Sequence, residues 1–195
     1  MRIKYNAPTV LTFSFLCVLV LFLSQTYISS LIYWFVVPGK DTFNAGSINH
    51  WISILTHVLG HANWVHLIGN LMFILVIGPM LEENYSSTSL LIMIFITALV
   101  TGVLNVLFFN SALLGASGVV FMMILLSSFT NFSKGEIPLT FIFVLILFMG
   151  EQILRSLSSE NTNISHFAHI IGGLCGSFFG FFNTGTKNNL RRTIK

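Results

Sequence analysis

Apolar residues gather in six runs, near 8–28, 65–82, 89–109, 115–132, 138–157 and 166–183. A helix needs about 20 apolar residues to cross roughly 30 Å of hydrocarbon. The pattern therefore predicts six transmembrane helices. The second and sixth runs are short for that task and call for thinned bilayer or snorkelling flanks. Between the first two runs lies a long connection, 29–64, which holds all three tryptophans, Trp34, Trp51 and Trp64. Its aromatic, weakly charged character, as in SLIYWFVVP, predicts a segment lying in the outer membrane interface. The other connections are short, and neither an internal repeat nor a low-complexity stretch divides the chain. The expectation is one all-α, polytopic membrane domain over residues 1–195.

Composition excludes the soluble alternative. Of 195 residues 54% are hydrophobic and 8% charged, with 20 Phe and a mean hydropathy of +0.86. That is more apolar surface than one water-facing fold hides. Arg2 and Lys4 precede the first run as in a signal peptide, but no small-x-small cleavage site follows in LSQTYISS, so the run is read as an uncleaved helix. Cys17 and Cys175 fall inside apolar runs and are expected to pack rather than form a disulfide or thiolate metal site. Arg2, Lys4, Lys134, Lys187, Arg191, Arg192 and Lys195 lie on one side of the predicted topology; Lys40 and Arg155 lie on the other. This places both termini in the cytoplasm. The basic segment 184–195 is then a cytoplasmic tail that meets anionic lipid, and the net charge of +3 calls for no nucleic-acid partner.

With the N-terminus inside, the second, fourth and sixth spans all run from outside to inside. Their first residues share one depth, and there stand His66 and Asn70, Ser117, and His169. Polar side chains at membrane depth are costly unless they serve a site. His66 and Asn70, four apart, share a helical face. Ala168, Gly172, Gly176 and Gly180 form a ladder of small residues that lets a neighbouring helix approach closely, and Gly115 and Gly118 flank Ser117. Close packing explains glycines alone; it does not explain the serine and histidine that accompany them. Facing helices of this kind bring Ser117 and His169 to the spacing that a nucleophile and its base require.

These residues carry a resemblance. His61-x4-His66-x3-Asn70, Gly115-Ala116-Ser117-Gly118 and Ala168-His169-x2-Gly172, in this order and at these depths, resemble the rhomboid family of intramembrane serine proteases. The resemblance covers about residues 30–183 and matches the minimal six-helix bacterial form. Glu82 in GPMLEE also fits the family's pattern. The chain departs from it at Ile52, where a Trp-Arg pair would place arginine after Trp51, and at Phe121, where many members carry a tyrosine that stacks on the histidine; a phenyl ring stacks as well.

The resemblance implies an endopeptidase that cleaves transmembrane segments of membrane-protein substrates near the outer face. Ser117 attacks the scissile carbonyl and His169 acts as base and then acid. The oxyanion is held by the Ser117 backbone N–H, Asn70 and His66. There is no third member, since Glu151 is expected to pair with Arg155. His61, Asn63 and His166 are expected to line or support a water-filled cavity, and the fifth span with the loop near 156–165 to form the gate. No cofactor or metal is implied. The partners are transmembrane substrates and membrane lipids, and the oligomeric state is left open. With neither an appended soluble domain nor a seventh helix, the expected location is a bacterial inner membrane. Two other readings stand beside this one: a metal or haem protein using His57, His61, His66 or His169, although no HExxH occurs, and an inactive rhomboid-like binding factor, although such relatives typically lose the serine or histidine.

Overall fold

A computed structural model describes residues 4–129, 139, 142–143, 146–147 and 163–193, with the backbone alone at 163–166 and 183–193. The described residues are helical throughout apart from connections and one isolated antiparallel pairing, Val37 with Leu113. The helices are α1 (Pro8–Thr26), α2 (Ile48–Thr56), α3 (Trp64–Tyr85), α4 (Ser87–Phe108), α5 (Ser117–Ser127) and α6 (Asn163–Thr193), with 3-10 turns at Ser29–Trp34 and His57–Leu59. Of these, α1, α3 and α4 are long and apolar enough to cross a membrane, and the chain is an integral, multi-pass membrane protein. The fifth predicted span, Glu151, Arg155 and the loop to 162 fall largely or wholly outside the described residues.

Local chemistry sets the helix ends. Pro8 opens α1, where its missing N–H and fixed φ do no harm. No side chain of its own caps that end. Instead the buried Glu82 carboxylate, near the end of α3, accepts the Thr9 N–H at 2.8 Å and the Val10 N–H at 3.0 Å. Charge-assisted bonds of this kind tie the two helices together and complement the positive end of the α1 dipole. Ser86 joins α3 to α4 in one residue at φ 76°, and its hydroxyl caps α4 by accepting the Ser89 N–H. The positive φ at Ser86 turns the chain sharply between α3 and α4.

The core gathers side chains from α1, α3, α4, α5 and α6, including Leu21, Ile74, Leu90, Met122 and Phe179. Large apolar side chains also face outward: Val65, Met72 and Val76 on α3 are 82%, 65% and 78% exposed. Such a surface is stable only against lipid. The helix α6 continues well beyond the predicted run 166–183, whereas among the described residues of the predicted run 115–132 the helical part is Ser117–Ser127.

Glycines close the α5–α6 contact. A Cβ at Gly172 would fall on the Gly118 carbonyl, one at Gly176 on the Met122 carbonyl and one at Gly180 on the Phe129 ring. Gly118 in turn lies against the Ala168 carbonyl, where a Cβ would stand 3.3 Å from the oxygen. Backbone meets backbone along α5, and this is what brings the start of α5 beside α6.

Candidate active site

The first connection folds against the segment that precedes α5. Val37 and Leu113 exchange both backbone hydrogen bonds at 2.9 Å, and the Gly115 N–H donates to the His57 carbonyl at 2.9 Å. Gly115 adopts φ +118°, a conformation that L side chains rarely hold, and a Cβ there would meet the His66 ring at 2.7 Å. Only glycine allows both the turn and the close imidazole. After this turn Ser117 begins α5, so its backbone N–H belongs to the group of amides left without helical acceptors at a helix start.

Two buried histidines stand behind the turn. His57 Nδ1 lies 3.0 Å from the Ile54 carbonyl, to which it must donate; Nε2, 3.2 Å from Thr101 Oγ1, is then left to accept. His61 repeats the arrangement, with Nδ1 donating to the Leu59 carbonyl at 3.2 Å and Nε2 facing the Ala116 N–H at 3.5 Å. Both rings are neutral supports in this geometry. Burial pushes the His57 pKa down to about 4. Burial, reinforced by the neighbouring His66, does the same to His61, also to about 4.

The cavity in front of the turn has a volume of about 860 Å³ and is lined by Ser117, His169, His66, Asn70 and Phe121, together with apolar side chains such as Leu147. Three helices, α3, α5 and α6, thus supply its polar groups. The Phe121 and His169 rings stack with centroids 4.3 Å apart and a 37° tilt. This limits where the imidazole can turn. The Asn70 side chain is 7% exposed, and its Nδ2 has no hydrogen-bond partner among the described residues. A buried amide donor left open costs free energy, and here it borders the cavity within reach of the Gly115 turn. His61 lies behind the turn, its ring 5.0 Å from that of His66. Asn63 is not among the lining groups: it is the N-cap of α3, accepting the His66 N–H at 2.8 Å. The His166 side chain lies outside the described residues.

Sequence reasoning did not connect the His57 carbonyl with the turn and did not single out Thr101, Gly69 or Leu147. A buried histidine whose carbonyl holds Gly115 leaves no periodic mark in the sequence. Among the described residues no three His, Cys, Asp or Glu side chains come together as a metal site, and the nitrogens of His57 and His61 already face hydrogen-bonding groups.

The helical membrane architecture and the turn-and-cavity arrangement define a class, and the match to the Rhomboid domain over residues 48–185 fixes it: the chain belongs to the rhomboid family. Among its relatives are Rhomboid-like protein 11, chloroplastic, of Arabidopsis thaliana, 26% identical over 161 residues, covering 81% of this chain and 54% of that protein. Rhomboid protease GlpG of Haemophilus influenzae is 24% identical over 138 residues, 69% of this chain and 71% of the relative. Rhomboid-related protein 1 of Caenorhabditis elegans is 33% identical over 132 residues, 62% of this chain and 36% of the relative. The chain thus spans about half the length of the plant protein.

Proposed function

We propose that this chain is an intramembrane serine endopeptidase that cleaves transmembrane segments of membrane-protein substrates with a Ser117–His169 dyad, without a cofactor. The observation that carries the reading is the single cavity shared by Ser117, His169, His66 and Asn70, with an open amide donor at Asn70. In this reading His169 takes the Ser117 proton as the hydroxyl attacks the scissile carbonyl, then returns it to the leaving amine. The developing oxyanion is met by Asn70 Nδ2, His66 and the Ser117 N–H, whose position the Gly115 turn fixes. The stack of Phe121 on His169 helps to orient the imidazole. The protease among the relatives supports the activity.

The topology belongs to the same proposal: six transmembrane helices, both termini cytoplasmic, the site opening towards the outer face, and a bacterial inner membrane as its location. The test is cleavage of a model transmembrane substrate by purified protein, with labelling by a serine-directed fluorophosphonate. Ser117→Ala and His169→Ala should each abolish both, with the double mutant no worse than either, since the two act as one unit. Wild-type protein that folds but neither cleaves nor labels would point to an inactive binding factor; cleavage by Ser117→Ala would end the serine-protease reading.

A further inference from the structure

At the other end of α3, sixteen residues and therefore about 24 Å from His66, a second cavity of about 480 Å³ opens between the ends of α1, α3 and α4. Lys4, Asn6, Met80, Glu82, Glu83 and Ser87 line it. Its volume lies within the range of about 300–1,000 Å³ typical of small-molecule sites. The charges in its wall differ in availability. The Glu82 carboxylate is taken up by the Thr9 and Val10 N–H groups and offset by the positive end of α1. Lys4 and Glu83 are exposed, and among the described residues no ion pair joins them. Among the described residues the wall thus carries one cation and two carboxylates, of which Lys4 and Glu83 are available to a ligand. That suits a group carrying both signs better than a bare anion, which would meet Glu83, or a bare cation, which would meet Lys4.

The surroundings add a second element. Val65, Met72, Val76 and Met80 lie along one face of α3 and are 82%, 65%, 78% and 43% exposed. This apolar line runs down the helix and ends at Met80, in the cavity wall. A ligand with a zwitterionic head and an apolar chain has a place for each part.

We infer that this cavity binds the headgroup of an aminophospholipid, its phosphate against Lys4 with Asn6 as a neutral partner, its primary ammonium against Glu83, and an acyl chain along the α3 line. A primary ammonium donates three hydrogen bonds, whereas the quaternary ammonium of a choline lipid donates none. Glu83 therefore selects between the two. The inference rests on membrane insertion and on these side chains; it is independent of the protease reading.

The test is a lipid titration of the full, delipidated protein in detergent, read by native mass spectrometry and by melting temperature. Phosphatidylethanolamine, phosphatidylcholine and phosphatidylglycerol with the same acyl chains form three arms, and water-soluble phosphoethanolamine the fourth. Phosphatidylethanolamine should bind about tenfold tighter than phosphatidylcholine, the scale of one charge-assisted hydrogen bond. Glu83→Gln should erase that preference, and Lys4→Gln should weaken both lipids. Both side chains are exposed, and an unchanged melting temperature without lipid establishes that each variant is folded. Equal binding of the two lipids, tighter binding of phosphatidylglycerol, or a preference that survives Glu83→Gln overturns the inference. Displacement of the lipid by millimolar phosphoethanolamine would also overturn it, by making the occupant a soluble metabolite rather than a lipid.

Discussion

Gly172→Ala tests whether the α5–α6 contact sets the geometry of the proposed dyad. A Cβ at position 172 would land on the Gly118 carbonyl, the residue next to Ser117, and residue 172 lies one turn beyond His169 on the same helix. The obstacle is backbone, so no side chain can swing aside; restoring ordinary carbon contacts of about 3.5–4.0 Å requires the helices to separate by about 1 Å or more. Overpacking of this sort costs about 1–3 kcal/mol, partly offset by the roughly 1 kcal/mol that alanine gains over glycine in a helix. Folding should therefore survive with a lowered melting temperature. The separation acts directly between Ser117 and His169, where a misplacement of about 1 Å is worth about 10²-fold in rate. Cleavage of a fluorogenic transmembrane substrate in proteoliposomes, with fluorophosphonate labelling as a readout independent of substrate entry, should show kcat/KM lower by about two orders of magnitude and labelling slowed in parallel. Gly69→Ala is the control: Gly69 borders the same cavity, but a Cβ there meets nothing within 4 Å. If folded Gly172→Ala turns over within about threefold of wild type, the helix contact does not set the dyad.

Asn70→Ala should lower kcat by up to about 10²–10³-fold with little change in substrate affinity; unchanged kcat with a lowered melting temperature would make Asn70 a packing residue only. Because the pKa values of His57 and His61 are lowered in the fold to about 4, the unfolded chain binds more protons below its ordinary value of 6.5. Their stabilisation is thus complete above pH 6.5 and is lost as pH falls from there towards 4, by up to about 3 kcal/mol per histidine. Melting temperature recorded from pH 7.5 to 4.5 should fall through that window, and a flat profile would contradict the buried neutral rings. Glu82→Gln places an amide against the Thr9 and Val10 N–H groups and should destabilise by about 2–3 kcal/mol, seen as a lower melting temperature with both helices retained by circular dichroism. Reporter fusions after residue 195 should read cytoplasmic and those near 112 external; a cytoplasmic reading at 112 would put Ser117 on the wrong side of the membrane.

What was legible in the sequence follows from what leaves a period. The runs at 8–28, 65–82 and 89–109 meet helices Pro8–Thr26, Trp64–Tyr85 and Ser87–Phe108 within a few residues, because lipid-facing helices are apolar all round. The end of α6 was not legible, since an apolar run measures contact with lipid or core while the helix Asn163–Thr193 continues through polar residues. The four-residue spacing of His66 and Asn70 was enough to set both on the cavity wall. Asn63 carried a recognisable capping signature, three residues ahead of His66, yet was assigned to the cavity. The long-range pairings of Val37 with Leu113 and His57 with Thr101 had no sequence signal, because each joins segments far apart through single contacts. Where the family's arginine is missing after Trp51, the indole packs edge-on to Phe43 at 5.2 Å and donates to the Ala45 carbonyl at 2.9 Å, a local arrangement that no pattern announced.

The turn before Ser117 is held by main-chain atoms at Val37, Leu113, His57 and Gly115. A hydrogen bond between peptide groups does not depend on which side chain each residue bears. Those residues of the first connection that enter only through their peptide groups can therefore be exchanged, generation after generation, without moving the turn, as long as glycine keeps positions 39 and 115, where a Cβ would meet the Asn110 backbone or the His66 ring. Genetic drift at the exchangeable positions is mechanically uncoupled from the turn. A library that randomises residues 29–47 while keeping Gly39 and apolar character at 37 should yield many variants that still label at Ser117, whereas one that randomises 115 should yield almost none.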